Sequence, residues 1–541
     1  MDMKKRSFKK LITLSLTLAM LTGVAGCGKQ QSLNAETNPD TPVSDVQFPL
    51  KEKAELSFIT SAPATSTQDP NERTIFKRME KQTNVHIDWI HLPDSTFVER
   101  RNAMFTQDDL PDAIYRAKFS LSDVNKYAAE EMLLPLDDLV DNYAPNLQKF
   151  FAEYPQVRKA LTMEDGHLYS LGYFNICDGL TVYTRQFLNM DWMNRLNLQV
   201  PTTIDEFTDV LRAFRDNDAN GDGDPTNEIP LAGGNIENLL STFYGSFGLQ
   251  NRGPSQDWVD VDETTGSLRF WPTSEGYKKL MKTARLWYEE KLLDNEIFTT
   301  DSARTVANGT ANLEGVWCAV NLTNVGGQAE KYAGLPAALI GPDGDQLYTP
   351  CKPVIYSPGS FVICDGAKNT ETLIKWVDYF YSQEGAELLF LVDEKLYNTD
   401  ENGVRSYNDY VTKNPDGLTL TQVISQNTCW SGGNCPAILL NNVFIGGETM
   451  PIPMAAAKAM LPYLPKEIWE PLFFTVDQND EMTPILTDLS ACVKEYRAAF
   501  IGGTKDIDAE WDNYVNEINK MRVDRYLEIV QESLDSHDAD K

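Results

Sequence analysis

The chain has 541 residues and carries 79 acidic against 48 basic side chains, a formal net charge of −31. Such acidity argues against nucleic acid or an anionic lipid surface as its binding partner. Hydrophobic residues make up 42% and charged residues 23% of the chain, the composition of a folded globular protein with room for two or three domains.

The N-terminus has the parts of an export signal. Basic residues cluster in the first ten positions, and residues 11–24 are apolar or small over a length too short for a membrane-spanning helix. The run ends in Val24-Ala25-Gly26-Cys27, the pattern of a bacterial lipobox, so residues 1–27 are predicted to be a lipoprotein signal peptide with Cys27 as the lipidated (palmitate-type) residue. We expect the chain on the extracytoplasmic face of the cell membrane, held there by its lipid anchor alone. An ordinary secretory signal that happens to contain a cysteine is the alternative.

The next segments alternate between strand and helix patterns. Residues 28–53 are polar without an apolar period and predict a flexible tether. After it, strands are predicted at 54–59, 85–89 and 112–115, with helices at 71–81 and 96–106 between them. This β-α-β-α-β order predicts an α/β fold with an open, mostly parallel sheet, which places ligands at the carboxyl ends of its strands.

Helices dominate the rest of the chain. Residues 203–206 have the spacing of a capping box, and apolar residues at 207, 210, 211 and 214 follow on one face. Strand patterns return near 335–340 and 360–364. The C-terminus ends in long amphipathic helices, so the fold is predicted to have a helix-rich C-terminal part.

The loop of residues 216–228 has an oxygen-bearing side chain at almost every second position, with glycines that allow a sharp turn. Ca²⁺ requires this donor set, and we predict a structural calcium site. Its candidate ligands are Asp216, Asp218, Asn220, Asp222, Asp224, Asn227 and Glu228. Two registers of the loop are possible: one starts at Asp216 with Gly221 at the sharp turn, and the other starts at Asp218 with Gly223 at the turn. Glu228 lies one place beyond the position of the bidentate EF-hand glutamate in the first register and one place short of it in the second. A solvated acidic turn without metal is the alternative.

Reactive motifs are scarce. Zinc-protease, serine-hydrolase and P-loop signatures are absent from the sequence, and no catalytic residue is predicted. The cysteines beyond Cys27 show no CxxC spacing. Cys429 and Cys435 are close enough for a short disulfide, and the alternative is that they are small buried hydrophobes like the others.

Several phrases resemble one family, the extracellular solute-binding lipoproteins (family 1, carbohydrate type) of bacterial ABC importers. The lipobox is the first of them, and the others are Asp165-Gly166-His167-Leu168-Tyr169-Ser170-Leu171, Tyr183-Thr184-Arg185, Asp191-Trp192-Met193-Asn194-Arg195-Leu196-Asn197-Leu198, Pro201-Thr202-Thr203-Ile204-Asp205-Glu206-Phe207, residues 276–294, Phe500-Ile501-Gly502-Gly503 and Trp511-Asp512-Asn513-Tyr514-Val515. Longer members of that family, found on Gram-positive cells, often carry a calcium loop like this one, although here the loop holds one extra residue before Asn227-Glu228.

The resemblance implies a two-lobed α/β protein of the periplasmic-binding-protein type II fold, which closes by a hinge on a carbohydrate, expected to be an oligosaccharide. It implies a binding protein and not an enzyme, which delivers that ligand to an ABC permease. We expect a monomer that binds no nucleic acid. By analogy, lobe 1 is predicted at residues 54–172 plus 341–395 and lobe 2 at 173–340 plus 396–541. A peptide or other non-sugar ligand is the main alternative, and a surface glycoside hydrolase is a weaker one, because no pair of carboxylates is marked out by its context.

Sugars present apolar C–H faces and a ring of hydroxyls, so a sugar site needs aromatic rings and planar polar groups. Aromatic residues in loop contexts and two charged residues near the expected lobe crossing are therefore the candidate ligand contacts, with core packing as the alternative for each aromatic ring. They are Tyr173, Phe174, Asp178, Arg185, Trp317 and Trp430.

Overall fold

The computed structural model describes residues 46–62, 68–107, 109–401, 403, 405–428 and 433–538. The predicted signal, Cys27 and most of the tether lie outside the described residues, so these predictions stay untested. Residues 44–541 form one compact unit. None of the helices in the described ranges combines the length and apolar character that a membrane crossing requires.

The described strands fall into two main sheets and two small hairpins. In chain order they are β1 Ala54–Ala62, β2 Val85–Pro93, β3 Ala113–Phe119, β4 Leu171–Asn175, β5 Arg185–Asn189, β6 Ile229–Gly233, β7 Val259–Val261, β8 Leu268–Phe270, β9 Glu314–Ala319, β10 Tyr332–Gly334, β11 Ile355–Ile363, β12 Tyr397–Thr399, β13 Arg405–Tyr407 and β14 Ala437–Leu439.

The described α-helices cover the sheets and fill the C-terminal part. They are α1 Thr74–Thr83, α2 Phe97–Gln107, α3 Leu121–Ala129, α4 Asp137–Tyr143, α5 Pro145–Glu153, α6 Pro155–Leu161, α7 Asp178–Thr181, α8 Met190–Arg195, α9 Ile204–Asp216, α10 Ile236–Tyr244, α11 Glu275–Glu289, α12 Ser302–Thr310, α13 Thr370–Asp378, α14 Gln383–Phe390, α15 Asp409–Thr412, α16 Leu420–Asn427, α17 Pro451–Met460, α18 Val476–Gly502, α19 Ile507–Lys520 and α20 Val523–Asp538.

Lobe 1 is built on a six-stranded sheet in the order β14-β4-β11-β3-β1-β2. β1, β2 and β3 pair in parallel, and β11 runs antiparallel to both β3 and β4. Its buried strands pack against α1–α6, α13 and α14 in one hydrophobic core. The predicted α/β class and the early β-α-β-α-β order are therefore confirmed.

Lobe 2 is built on a four-stranded sheet in the order β10-β5-β9-β6. Its helices share a second core with the C-terminal helices α18–α20. The predicted capping box begins α9: Thr203 Oγ1 accepts from the Glu206 N–H at 3.1 Å, and Glu206 Oε2 accepts from the Thr203 N–H at 3.3 Å. The apolar face that follows, including Phe207 and Phe214, is fully buried, so the predicted helix-rich two-lobed fold is confirmed.

The chain passes between the two cores three times, after β4, before β11 and after β14. The first two connections pair with each other, since the Tyr183 N–H donates to Pro350 O at 2.9 Å and the Lys352 N–H donates to Thr181 O at 2.8 Å. These adjacent connections are where a hinge between the lobes lies.

Several of the predicted boundaries differ from the structure. The crossings were placed after residues 172 and 340, but Leu180 lies in the lobe 1 core and Tyr348 in the lobe 2 core. Residues 396–443 were assigned to lobe 2, but Leu396, Val411 and Leu439 lie in the lobe 1 core, and β14 pairs with β4 in parallel. The reason is that the outer edge of β4 takes its partner strand from a distant part of the chain, which the local sequence does not show. The tether was predicted to reach residue 53, but the Leu50 N–H donates to Thr83 O at 2.9 Å, and Phe48 and Leu50 pack against the same core.

Candidate ligand-binding cleft

Strand directions place one edge of each sheet at the hinge. In lobe 1, β4 and β14 end where the chain leaves for lobe 2, and β11 begins where it returns. In lobe 2, β5 begins at the crossing, and β6 and β9 end on the same side because both run opposite to β5. The loops that follow these strand ends therefore line a cleft between the lobes, which is the position favoured for ligands in open α/β sheets.

Three side chains cluster at the base of this cleft: Tyr183, Lys352 and Tyr356. The Lys352 Nζ atom lies 4.7 Å from the centre of the Tyr183 ring and 6.0 Å from that of Tyr356. Tyr183 and Lys352 are half-buried, whereas Tyr356 is 37% exposed. Burial lowers the pKa of the Lys352 ammonium and raises the pKa of the Tyr356 hydroxyl. Aromatic faces and a donor group thus converge at the base.

The lobe 2 side of the cleft presents amide and carboxylate groups. Asn321 follows β9 and donates through Nδ2 to Glu448 Oε1 at 3.2 Å. Trp317 lies behind it, 1% exposed, and its Nε1–H donates to Asn321 O at 3.2 Å. Its position within β9 directs the indole into the small core beneath this edge, and the predicted ligand contact by Trp317 stays a prediction. Trp317 supports the backbone of Asn321.

Arg185 was also predicted to contact ligand, and this contact stays a prediction. Its guanidinium is buried and donates to Gly179 O and Val320 O. Burial lowers its pKa to about 10. Arg185 is the first residue of β5, and its reach to α7 and to the end of β9 ties the first crossing to lobe 2.

Asp178 lies at the crossing as predicted, half-buried at the start of α7. Its N–H donates to Asn441 Oδ1 at 2.8 Å, and its Oδ2 accepts from Asn441 Nδ2 at 3.1 Å. These paired bonds join the first and third connections. A direct ligand contact by Asp178 stays a prediction.

The two predicted aromatic contacts on β4 are both buried. Phe174 is fully buried and stacks on Phe150, with ring centres 4.7 Å apart, the core packing that was the alternative for this ring. A ligand contact by Phe174 stays a prediction. Tyr173 is 3% exposed, and its ring meets Tyr356 edge-on at 5.8 Å. Tyr173 therefore packs against the exposed ring of Tyr356, while its own ring is buried. Trp430 lies outside the described residues.

Sequence reasoning did not single out the cluster of Tyr183, Lys352 and Tyr356. β11 was predicted only from residue 360, whereas it begins at Ile355. The start of β11 does carry the relevant signal, because Ile355 is buried and Tyr356 is exposed, the alternation of a strand with one covered face.

The acidic loop is held close to α8, where Arg195 Nε donates to Ala219 O at 3.1 Å. Its carboxylates accept from nearby donors: Asp218 accepts from the Gly221 and Gly223 N–H groups at 2.8 and 3.1 Å. Asp222 Oδ2 accepts from two amides, Asn220 Nδ2 at 3.1 Å and Asn227 Nδ2 at 2.8 Å. No group of three or more His, Cys, Asp or Glu side chains within the described ranges converges as a metal site.

Two observations bear on which oxygens of this loop fit a cation. Asp216 is paired with the Arg215 guanidinium at 2.7 Å, which lowers the pKa of the Asp216 carboxyl and favours the register that begins at Asp218. Glu228 Oε1 accepts from the Ala219 N–H at 2.9 Å, while the buried Oε2 atom has no hydrogen-bond partner among the described residues. Burial raises the pKa of Glu228. An orphaned carboxylate oxygen in an all-oxygen loop fits a hard cation.

The family model for bacterial extracellular solute-binding proteins matches residues 64–387. The chain belongs to this family. The solute-binding protein is 32% identical, over the whole of both chains, to the fructooligosaccharide ABC transporter substrate-binding protein FusA of Streptococcus pneumoniae. It is 27% identical to the polygalacturonan/rhamnogalacturonan-binding protein YtcQ of Bacillus subtilis, over 54% of this chain and 52% of that one.

Solved structures agree with the two-lobed fold. FusA of S. pneumoniae in complex with kestose superposes with a TM-score of 0.69 at 28% identity, covering 90% of this solute-binding protein and all of FusA. A FusA EF-hand mutant in complex with fructo-nystose gives a TM-score of 0.68 at the same identity, with 90% and 100% coverage. A solute-binding protein from Bifidobacterium longum infantis superposes with a TM-score of 0.75 at 20% identity, covering 90% of this chain and 99% of that one. At this identity the likeness shows the fold alone.

Proposed function

We propose that this solute-binding protein captures an oligosaccharide in the cleft between its lobes and delivers it to the permease of an ABC importer. The observation that carries the proposal is the base of the cleft, where an exposed tyrosine ring, a second tyrosine and a lysine ammonium converge. Rings that stack on sugar faces, next to groups that donate to hydroxyls, are the chemistry of carbohydrate recognition. The full-length similarity to FusA supports a fructooligosaccharide as the first ligand to test.

Ligand capture is proposed to proceed by closure about the hinge. Arg185 holds the first connection to lobe 2, and the Asp178–Asn441 pair joins the first and third connections. Because these bonds hold the connections together, the expected motion is a rigid rotation of the lobes and not a local unfolding. A ligand that contacts both lobes favours the closed state through its differential affinity, and the permease would then recognise that state.

Anchoring of the protein is part of the proposal. Acylation at Cys27 would hold the chain on the extracytoplasmic face of a Gram-positive cell membrane, since two acyl chains anchor stably where one does not. The relatives of known role are binding proteins, and we propose that this chain likewise returns its ligand unchanged. We also propose that it works as a monomer.

The acidic loop is proposed to bind Ca²⁺ as a structural ion. Asp218, Asn220, Asp222 and Glu228 would supply oxygen ligands, and the orphaned Oε2 of Glu228 supports this set. The ion would neutralise clustered carboxylates and fix the chain between α9 and β6. The loop belongs to lobe 2 and lies away from the base of the cleft, so its expected effect is on stability.

Thermal unfolding of residues 44–541, which form one compact unit, tests the function. We expect kestose to raise the unfolding temperature by mass action, and Ca²⁺ to raise it independently. Chromatography of the recovered sugar checks that it is intact. A shift with peptides but with no oligosaccharide would favour a peptide-binding protein, and cleaved sugar would identify a glycoside hydrolase. Wild-type protein that responds to none of these ligands would overturn the proposal.

A further inference from the structure

Lys352 has no carboxylate partner in the part of the chain that the structure describes, and, unlike the buried Arg185, which donates to two backbone carbonyls, it has no hydrogen-bond acceptor there either. Other partly buried cations have such partners: Lys118 with Asp94 at 2.7 Å and Arg269 with Asp260 at 2.6 Å. Acidic residues outnumber basic ones by 79 to 48. An unpaired ammonium in a desolvated position costs free energy, which calls for a compensating role.

The surroundings of Lys352 offer it aromatic faces but no acceptor. Its Nζ lies against the rings of Tyr183 and Tyr356, and both contacts are of the cation–π type. An ammonium has three N–H donors, and no described atom accepts a hydrogen bond from them. Tyr173 meets the Tyr356 ring edge-on and restricts it. The ammonium and the exposed ring therefore form a preorganised, donor-rich surface.

We propose that Tyr183, Lys352 and Tyr356 form the specificity-determining subsite of the cleft, in which one uncharged sugar ring stacks on Tyr356 and its neighbouring hydroxyls accept hydrogen bonds from Lys352. This inference rests on the proposed function and adds to it the contact residues and the charge class of the ligand.

The charges around this subsite favour an uncharged ligand over a uronate. Asp178 lies on the first connection between the lobes, which pairs with the second connection, where Lys352 lies. Gly179, also on the first connection, is next to the Glu448 backbone. The Glu448 charge also acts on Tyr356. Two cations, Lys352 and the Arg185 guanidinium that donates to Gly179 O, share this end of the cleft with these two carboxylates. The local charges balance, so an added anionic group finds no surplus cation to pair with, whereas an uncharged sugar leaves the balance intact.

Calorimetric titration of kestose into residues 44–541 tests the subsite. We expect Lys352→Met to weaken binding about 10- to 100-fold, the effect of losing hydrogen bonds from a charged donor. Lys352→Arg, which keeps the charge, is expected to recover part of the loss. Tyr356→Ala should weaken binding by a similar factor, and Tyr356→Phe, which keeps the ring, by less. The matched control is Lys505→Met, which removes another cation–π contact: the Lys505 Nζ atom lies 3.7 Å from the centre of the Tyr496 ring, on the C-terminal helices. The kestose affinity of this variant should equal that of the wild type.

A second measurement separates a binding role from a structural one. Since Lys352 is desolvated and unpaired, Lys352→Met without ligand should unfold at a temperature equal to or above that of the wild type. A lower unfolding temperature, or unchanged kestose affinity in Lys352→Met, overturns the inference even if the wild type binds kestose. A galacturonate oligomer that binds more tightly than kestose, with an affinity that falls as salt rises, would overturn the uncharged class. A wild type that binds no oligosaccharide would overturn both this inference and the proposed function.

Discussion

Glu314 provides the sharpest test of the electrostatics of lobe 2. It begins β9, is 2% exposed, and its Oε2 atom has no hydrogen-bond partner among the described residues. Burial, followed by the nearby charge of Asp294, raises its pKa from 4.5 to about 8. The folded protein therefore holds a proton at neutral pH that the unfolded chain releases.

The pH dependence of the free energy of unfolding follows, in sign and size, from this difference between the folded and unfolded pKa of Glu314. Between pH 4.5 and 8 the native state binds the extra proton, so the free energy of unfolding falls as pH rises through that window and is constant above it. At about 1.4 kcal/mol per pKa unit, Glu314 lowers the stability by roughly 3 kcal/mol at pH 7 and by up to about 5 kcal/mol above pH 9, relative to pH 4. Glu314→Gln has nearly the same shape and no charge, so it removes this dependence.

Urea denaturation of residues 44–541 at pH 5, 6, 7, 8 and 9 measures the effect. We expect the stability of Glu314→Gln relative to the wild type to increase by about 1 kcal/mol or more per pH unit between pH 5 and 7, and to level off above pH 8. Taking the difference removes the contributions of other titrating groups. Glu330→Gln is the control for the chemical change itself, because Glu330 is exposed in the same lobe. A flat difference for Glu314→Gln would refute the assignment of a buried, protonated carboxyl.

Three further sets of substitutions test other parts of the structure. Phe174→Ala removes a fully buried ring from lobe 1 and should lower the free energy of unfolding, measured by urea denaturation, by about 3–5 kcal/mol. The kestose affinity of the folded fraction should be unchanged. Lost affinity without lost stability would place Phe174 in the ligand site. Glu470→Ala should lower the free energy of unfolding by about 1–3 kcal/mol in the same assay, because the carboxylate accepts from two backbone N–H groups at the start of β11, at 2.8 and 3.2 Å. Glu470→Gln keeps one acceptor oxygen and should lower it by less. Equal losses for the two variants would contradict this reasoning. Glu228→Ala should abolish the rise in unfolding temperature with Ca²⁺, whereas Asp216→Asn should keep most of it; the reverse result would place the site in the register that starts at Asp216.

Local patterns predicted the elements well where a single segment determines its own conformation. The Thr203–Glu206 capping box and the apolar face after it needed only neighbours within the same helix. The alternation of residues 85–89 likewise matched β2, in which Val85, Ile87 and Trp89 are buried. The same reasoning could not tell a buried ring from an exposed one, because Phe174 and Tyr356 are both aromatic residues on strands of one sheet. Tertiary packing of Phe150 and Tyr381 buries Phe174.

What the sequence by itself determined was the class of fold, the family and the chemistry of the acidic loop, because these depend on local periodicity, on motif spacing and on the kind of donor atoms present. Only the tertiary structure decided which part of the chain completes the lobe 1 sheet, which aromatic rings face the cleft, and that Lys352 lies between Tyr183 and Tyr356. Tyr183 and Lys352 are distant in sequence and meet because two separate connections pair at the hinge. Such a contact arises from chain topology, which no local pattern records.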